Sequence, residues 1–132
     1  MAPLPPDHSS PKITVELYGT WGRSDPPKFY EATIDTGFTG GVCIPIGQAL
    51  PLGLTLHSTA NFTLADGSID NAFLCIGNAR INNEERSMLF VLSRGNDLLV
   101  GTQFLAQFQA KLELDYKSME FSITERPGPV NP

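Results

Sequence analysis

The chain has 132 residues, of which 41% are hydrophobic, and its formal net charge is -5. This length supports one sizeable hydrophobic core and is short for two, so we expect a single domain. The charge is modest and spread along the chain, which argues against a nucleic-acid partner and against binding to an anionic membrane. No apolar run approaches a membrane span, and the first residues lack a basic-then-apolar signal pattern. These features predict a cytoplasmic protein.

Glycine (12 residues) and proline (11 residues) are frequent, and short β-branched or aromatic runs lie between turn signals. This pattern is typical of an all-β fold. We predict a domain over residues 12–124, preceded by a flexible proline-rich arm at 1–11 and followed by a flexible tail at 125–132.

The cysteines and histidines give little support for a metal site or a disulfide. Cys43 and Cys75 each lie in an apolar run, which favours two reduced core residues over one disulfide, and neither has a neighbour at metal-ligand spacing. His8 lies in the predicted arm and His57 on a predicted strand, so a zinc site or a serine or cysteine triad has little to build on. We therefore expect no metal and no cofactor.

The first predicted hairpin ends at a carboxylate. Residues 13–18 alternate apolar and polar with period two, and residues 28–34 form the partner strand that leads into Asp35-Thr36-Gly37. Placing a carboxylate beside a hydrophobic core costs free energy, so this position indicates a chemical role for Asp35. The alternative is that Asp35 only accepts hydrogen bonds from the amides of its turn, a common role of aspartate.

Further strands are predicted in the middle of the chain, at 42–46, 55–64 and 69–76. A short helical turn is expected at 48–54, closed by Gly53. Asp66-Gly67 stands between two of the predicted strands, and this dipeptide is a strong hairpin signal.

The last third of the chain contains two apolar runs, one short helix and a hairpin. Residues 88–92 are suited to a strand buried on both faces, and residues 98–101 form a second apolar run that ends in glycine. A helix is predicted over 102–109, with Thr102 as its cap and apolar residues at helical spacing. The final hairpin pairs 111–115 with 119–123.

Two parts of this chain have similar patterns, because each is an apolar run that leads into a glycine-containing motif. The first is followed by Asp-Thr-Gly, and the second is Leu-Leu-Val-Gly followed by a short helix. With the order of the other elements, residues 13–123 resemble a retropepsin-like aspartic protease, closest to the small single-domain members found in prokaryotes. The resemblance implies a closed, barrel-like acid-protease fold with one short C-terminal helix.

The resemblance also implies an aspartic endopeptidase that needs no metal or cofactor. Amide hydrolysis of this kind uses one carboxylate as the base for water and a second, protonated carboxyl that polarises the carbonyl. The chain offers one such triplet, so the active enzyme would be a homodimer in which two copies of Asp35 meet at a two-fold axis. Its partner beyond the second copy would be a peptide or protein substrate, bound as an added strand.

The family's functional positions carry over to named residues of this chain. Thr36 would form a hydrogen bond across the axis, and Gly37 would let its N–H approach the carboxylate. The substrate-binding candidates lie beside the triplet and at the Asp-Gly hairpin tip: Phe38, Thr39, Ala65, Asp66, Gly67 and Ser68. Leu99, Val100 and Gly101 would be structural, with Gly101 packed beneath the Asp35 loop.

Two other hypotheses remain at this point. The chain could be a retropepsin-like module that binds peptides or dimerises without catalysis, with Asp35 poorly paired. It could also be a monomeric β-barrel unrelated to peptidases, which would leave Asp35 without a second copy.

Overall fold

A computed structural model describes residues 2–7, 9–63 and 66–124, apart from the side chain of Phe62. Its strands are β1 (Ala2–Pro3), β2 (Lys12–Tyr18), β3 (Phe29–Ile34), β4 (Val42–Pro45), β5 (Thr55–Thr63), β6 (Ile69–Ile81), β7 (Glu84–Ser93), β8 (Leu99–Val100), β9 (Lys111–Asp115) and β10 (Glu120–Thr124). The helices are α1 (Ile46–Ala49) and α2 (Thr102–Gln107), and a 3₁₀ turn spans Leu50–Leu52.

The larger of two sheets closes on itself. Its strand order is β2-β3-β8-β4-β7-β6-β5, and β2 also pairs with β6. The smaller sheet has the order β1-β10-β9. The prediction of an all-β, barrel-like fold with a short C-terminal helix is therefore confirmed.

Strand β8 lies between β3 and β4 and joins the two halves of the barrel. It runs parallel to β3, with Ile34 opposite Val100, and antiparallel to β4, with Val42 opposite Val100. These three side chains are buried in the core. The two apolar runs that resemble each other in the sequence are thus neighbours in space.

The β5–β6 hairpin extends beyond the barrel. The pairing of β6 with β7 begins at Phe73, whereas its pairing with β5 continues outward to Ile69 opposite Thr63. Residues 69–72 therefore belong to a two-stranded ribbon, whose tip is the predicted Asp66-Gly67 turn. Gly67 has φ +83°, a left-handed conformation that favours glycine.

Strand β6 is longer than the sequence predicts, because it continues through Gly77. A Cβ at Gly77 would lie 2.5 Å from Leu54 Cδ2 and 3.0 Å from Phe90 Cε1. Glycine is used here for close packing rather than for a turn. The turn between β6 and β7 is correspondingly short, with Asn82 and Asn83 in the left-handed conformation before β7 begins.

Helix α2 packs into the core through two phenylalanines. Phe104 and Phe108 are fully buried, and their ring centroids are 4.9 Å apart. The predicted helical spacing is confirmed, but the prediction that Thr102 caps the helix is wrong. Gly101 occupies the N-cap with extended backbone, and no side chain forms a cap hydrogen bond.

The amino-terminal segment differs from the flexible arm that its proline content predicts. Ala2 and Pro3 pair with Phe121 and Glu120 of β10, and Leu4 is buried in the core. The Leu4 N–H donates to Met119 O at 2.8 Å. Strand pairing and the buried Leu4 side chain together attach this part of the segment to the domain. The predicted tail at 125–132 lies outside the described residues.

An ion pair between a buried glutamate and an exposed arginine holds the loop between β2 and β3. Glu16 is 2% exposed, and its carboxylate accepts hydrogen bonds from Arg23 Nη2 at 2.8 Å and Arg23 Nε at 2.9 Å. Tyr18, on the same strand, donates its hydroxyl to Glu85. Burial and this carboxylate raise the pKa of Tyr18 to about 12.

Candidate active site

Asp35 lies at the end of strand β3, and hydrogen bonds hold both its backbone and its side chain in place. The Asp35 N–H donates to Val100 O at 2.9 Å, which ties the end of β3 to β8. Asp35 Oδ1 accepts the Gly37 N–H at 2.9 Å. The side chain is only partly buried, so the carboxylate is oriented by its turn and still accessible.

Carbonyl oxygens of the loop after Asp35 accept hydrogen bonds from the backbone N–H groups at the amino terminus of α2. Gly101 N–H donates to Gly41 O at 2.9 Å, Thr102 N–H to Phe38 O at 2.9 Å and Gln103 N–H to Gly40 O at 3.2 Å. The first N–H groups of a helix have no partners within the helix, so these loop carbonyls do the work of a cap. Sequence reasoning missed this role, because backbone carbonyls have no sequence signature.

Gly101 allows the loop and the helix to approach this closely. A Cβ at Gly101 would lie 2.3 Å from Phe38 O and 2.5 Å from Gly40 O, distances that side chains do not adopt. The preceding Leu99 and Val100 pair with both β3 and β4. Val100 and Gly101 therefore contact the Asp35 loop directly, and Leu99 lies between the two strands that flank this loop.

A cavity of about 320 Å³ adjoins the same loop. Phe38, whose ring also packs over Gly40, forms one wall together with Thr39. The other side chains that line it are Leu74, Leu89, Val91 and Gln103. None of these lining side chains is charged, so the cavity suits an apolar group.

The hairpin tip is stabilised within itself. Asp66 Oδ1 accepts the Ser68 N–H at 2.9 Å and the Ser68 hydroxyl at 2.5 Å, and these bonds lower the pKa of Asp66. Asp66, Gly67 and Ser68 are exposed at the end of the ribbon, whereas Ala65 lies outside the described residues. Through β6 the ribbon is continuous with Leu74 in the cavity wall.

The site as described thus brings Asp35, the loop that follows it and 99–101 together. Thr36 is exposed on the turn.

Both cysteines are free, and burial raises the pKa of each thiol. Within 2–7, 9–63 and 66–124, no group of three or more His, Cys, Asp or Glu side chains is arranged to hold a metal ion.

Two solved structures with a similar fold are retroviral proteases. The EIAV protease, solved with an inhibitor, matches 81% of this chain and 95% of its own with a TM-score of 0.60 at 14% sequence identity. This chain has a retropepsin-like fold. The simian foamy virus protease matches 76% of the chain and 98% of its own, with a TM-score of 0.53 at 14% identity.

Comparison with protein-family models and with curated protein sequences gives no match. At 14% identity, the likeness to the two viral proteases concerns the fold. In the described part of the chain, no helix has the length and apolar character needed to cross a membrane.

Proposed function

We propose that this chain is an aspartic endopeptidase that acts as a homodimer, with two Asp35 carboxyls that activate a water molecule. The observation that carries the proposal is the setting of Asp35. Its backbone is fixed to Val100, one of its oxygens is fixed to the Gly37 N–H, and its loop is packed against Gly101. This arrangement presents one oriented, accessible carboxyl on a retropepsin-like fold.

One carboxyl cannot perform the reaction, and a second copy supplies the other. Two carboxyls held about 3 Å apart share one proton, because both cannot ionise at that distance. The ionised member accepts a proton from water as it attacks the peptide carbonyl, and the protonated member donates to the carbonyl oxygen. The pair exchanges these roles as the amine leaves, so neither copy of Asp35 is permanently the acid.

The substrate would be an extended segment of a peptide or protein. The β5–β6 ribbon ends in the Asp66–Gly67 turn, and an extended peptide can add to such a surface through its main chain. Phe38 and Thr39 line an uncharged cavity beside the loop that follows Asp35, which supports an apolar substrate side chain at that point. The two free thiols support a reducing compartment, and we place the protein in the cytoplasm.

The decisive experiment compares Asp35→Asn with the wild-type chain on an unstructured protein substrate over about pH 3 to 7. Because the amide can neither accept nor donate the proton in the same way, we expect cleavage to fall by about a hundredfold or more. Asp97→Asn changes an exposed aspartate to the same amide and is the matched control. If both chains dimerise and neither cleaves, the protein is a peptide-binding or dimerisation module instead.

A further inference from the structure

A cleft of about 510 Å³ lies between the two sheets. Its walls are residues 12–14 of β2, Ile81 and Asn82 at the end of β6, residues 121–123 of β10 and Ala2 of β1. It shares no lining residue with the cavity beside the Asp35 loop, so the two are separate places on the molecule.

Two strand edges border this cleft without a neighbouring strand. Strand β2 pairs with β6 only over Glu16–Tyr18, so in the described part of the chain residues 12–15 have β3 on one side and no strand on the other. Strand β10 pairs with β1 only at Glu120 and Phe121, which leaves β9 as the one described neighbour of residues 122–124. A strand edge of this kind is a template for pairing with a further strand.

The side chains on both edges alternate in the same way. On β2, Ile13 is 8% exposed and belongs to the core, whereas Lys12 lies on the outer face. On β10, Phe121 is buried and Ile123 packs against the core, whereas Ser122 lies on the opposite face. A strand placed between these edges would continue both faces if its apolar residues pointed inward and its polar residues outward.

Lys12 gives the cleft its charge. Among the described residues that line the cleft, it is the only charged one. Its side chain is 55% exposed, and its Nζ lies 3.8 Å from Glu31 Oε1, which is too long for a hydrogen bond. The ammonium group can therefore donate to a second carboxylate, and an acidic residue on the outer face of an added strand would lie beside it.

We propose that this cleft binds an extended segment of a partner protein, inserted as a strand between β2 and β10, with apolar side chains inward and one carboxylate beside Lys12. The free edge at residues 12–15 is about 13 Å long at 3.3 Å per residue, so a segment of about four or five residues fits it. This inference does not rest on the proposed function, because the cleft is separate from the Asp35 site.

The main chain and the charge have different parts in this recognition. When a peptide adds to a sheet edge, main-chain hydrogen bonds give affinity and the side-chain positions give specificity. Exposed ion pairs contribute little to affinity, whereas a like charge at the same position opposes binding. Lys12 is therefore expected to select acidic over basic segments.

An NMR titration with a synthetic peptide tests the proposal. The probe is acetyl-Thr-Val-Glu-Val-Thr-amide, added to the isotope-labelled Asp35→Asn chain so that the proposed activity cannot cut it. The same peptide with lysine in place of glutamate should bind about tenfold more weakly. N-methylation of both valines removes main-chain donors and should weaken binding by about tenfold or more. Equal binding of the three peptides, or no binding, overturns the proposal.

Substitution of Lys12 tests the charge preference. Lys12→Glu should reverse the order of the glutamate and lysine peptides, and Lys12→Gln should bring their affinities within about twofold of each other. The second variant avoids a glutamate beside Glu31 and so keeps the test valid if Lys12→Glu folds poorly. Lys28→Glu makes the same charge change at an exposed position outside the cleft and should keep the original preference. An undiminished preference in Lys12→Gln overturns the proposal.

The same titrations locate the bound peptide. We expect the largest changes in amide signals at residues 12–15 and 122–124, on the two free edges. Changes that are largest in the Asp35 loop or at the Asp66-Gly67 tip would place the peptide in the candidate active site and overturn the proposal. No step measures cleavage, so the result is distinct from a failure of the proposed function.

Two further measurements distinguish a partner protein from other occupants. A chain that ends at Thr124 should bind the probe as the full chain does. A gain in affinity of about tenfold or more would make residues 125–132 the occupant. Sedimentation velocity with and without the probe should show the same oligomeric state, and a dimer that the probe dissociates would make a second copy the occupant. Either result overturns the assignment to a partner protein.

Discussion

The distance between the Asp35 loop and helix α2 is set by individual residues. Gly101 has backbone oxygens where a side chain would stand, and Gly37 places its N–H on the carboxylate. Neither contact is a feature of composition or hydrophobic pattern. The candidate site is therefore more sensitive to single substitutions than the strands around it.

Gly101→Ala should disturb this contact strongly. The added Cβ would meet Phe38 O and Gly40 O, which are backbone atoms that cannot turn aside, so we expect a loss of about 1–3 kcal/mol in the free energy of unfolding. Gly47→Ala is the matched control, because no atom lies within 4 Å of its Cβ position. Since Gly47 lies within α1, alanine there should leave stability unchanged or raise it by up to about 1 kcal/mol. Urea denaturation measures both; equal effects would contradict the packing argument.

Ser68→Ala should raise the pKa of Asp66 toward its ordinary value. The Ser68 hydroxyl is the largest cause of the lowered pKa, and the backbone N–H remains after the substitution. Carboxylate titration by NMR measures the change. Asp115 is an internal control, since its pKa is lowered mainly by the Ser118 and Lys117 amides.

The sign of the pH dependence follows from the same bonds. Because the pKa of Asp66 is lower in the folded chain, its ionised form stabilises the turn at pH above its ordinary pKa. That contribution is lost as the pH falls through the lowered value. Ser68→Ala should therefore make the order of the hairpin tip less dependent on pH in the acidic range. An unchanged NMR titration of Asp66 would show that the hydroxyl is not its partner.

Among the elements, α2 connects the Asp35 loop to the barrel wall. Arg86 on β7 donates from Nε to Gln107 O at 3.0 Å, at the carboxyl end of α2, and its guanidinium lies 5.4 Å from the centre of the Phe108 ring. The loop carbonyls hold one end of the helix and this arginine holds the other.

Arg86→Met should loosen that carboxyl end. Methionine keeps much of the aliphatic stem but loses the hydrogen bonds and the cationic contact with the ring. We expect a loss of about 1–3 kcal/mol in stability, with faster amide hydrogen exchange in α2. Arg94→Met, at an exposed turn position, removes the same charge and should change neither quantity appreciably. Equal behaviour of the two variants would mean that Arg86 does not hold the helix.

The sequence predicts the elements whose signals are local. The period-two pattern at 13–18, the Asp66-Gly67 turn and the spacing of Phe104 and Phe108 each correspond to an observed element. The cap of α2 and the strand through Gly77 were not predictable, because they depend on carbonyls and rings from distant parts of the chain. Leu4 was missed for the same reason, since its partner Met119 lies at the other end of the sequence.

At the scale of the whole molecule, the central prediction is that the site belongs to two chains. The closed sheet and the fold could be anticipated from the order of the motifs, and Asp35 from its triplet. The proposed site needs a second carboxyl from another copy of the chain, and this second copy was expected only from the resemblance to retropepsin-like proteases.

Mixing subunits tests this two-chain site. A tenfold excess of Asp35→Asn chains, equilibrated with the wild type, should place most wild-type subunits in mixed dimers and remove about nine-tenths of the cleavage activity. The matched mixture uses Asp97→Asn in the same excess and should not suppress activity. Wild-type activity that persists in the presence of excess Asp35→Asn would show that one chain suffices.

Strand β8 also determines when, during synthesis, the Asp35 loop can reach its folded position. A polypeptide leaving the ribosome is made from its amino terminus, so β3 and Asp35 emerge long before β8 and Gly101. Until residue 101 has been synthesised, the position between β3 and β4 stays unfilled and the Asp35 loop lacks its contact with Gly101. The order of synthesis thus delays the assembly of the Asp35 loop until the last third of the chain has been made.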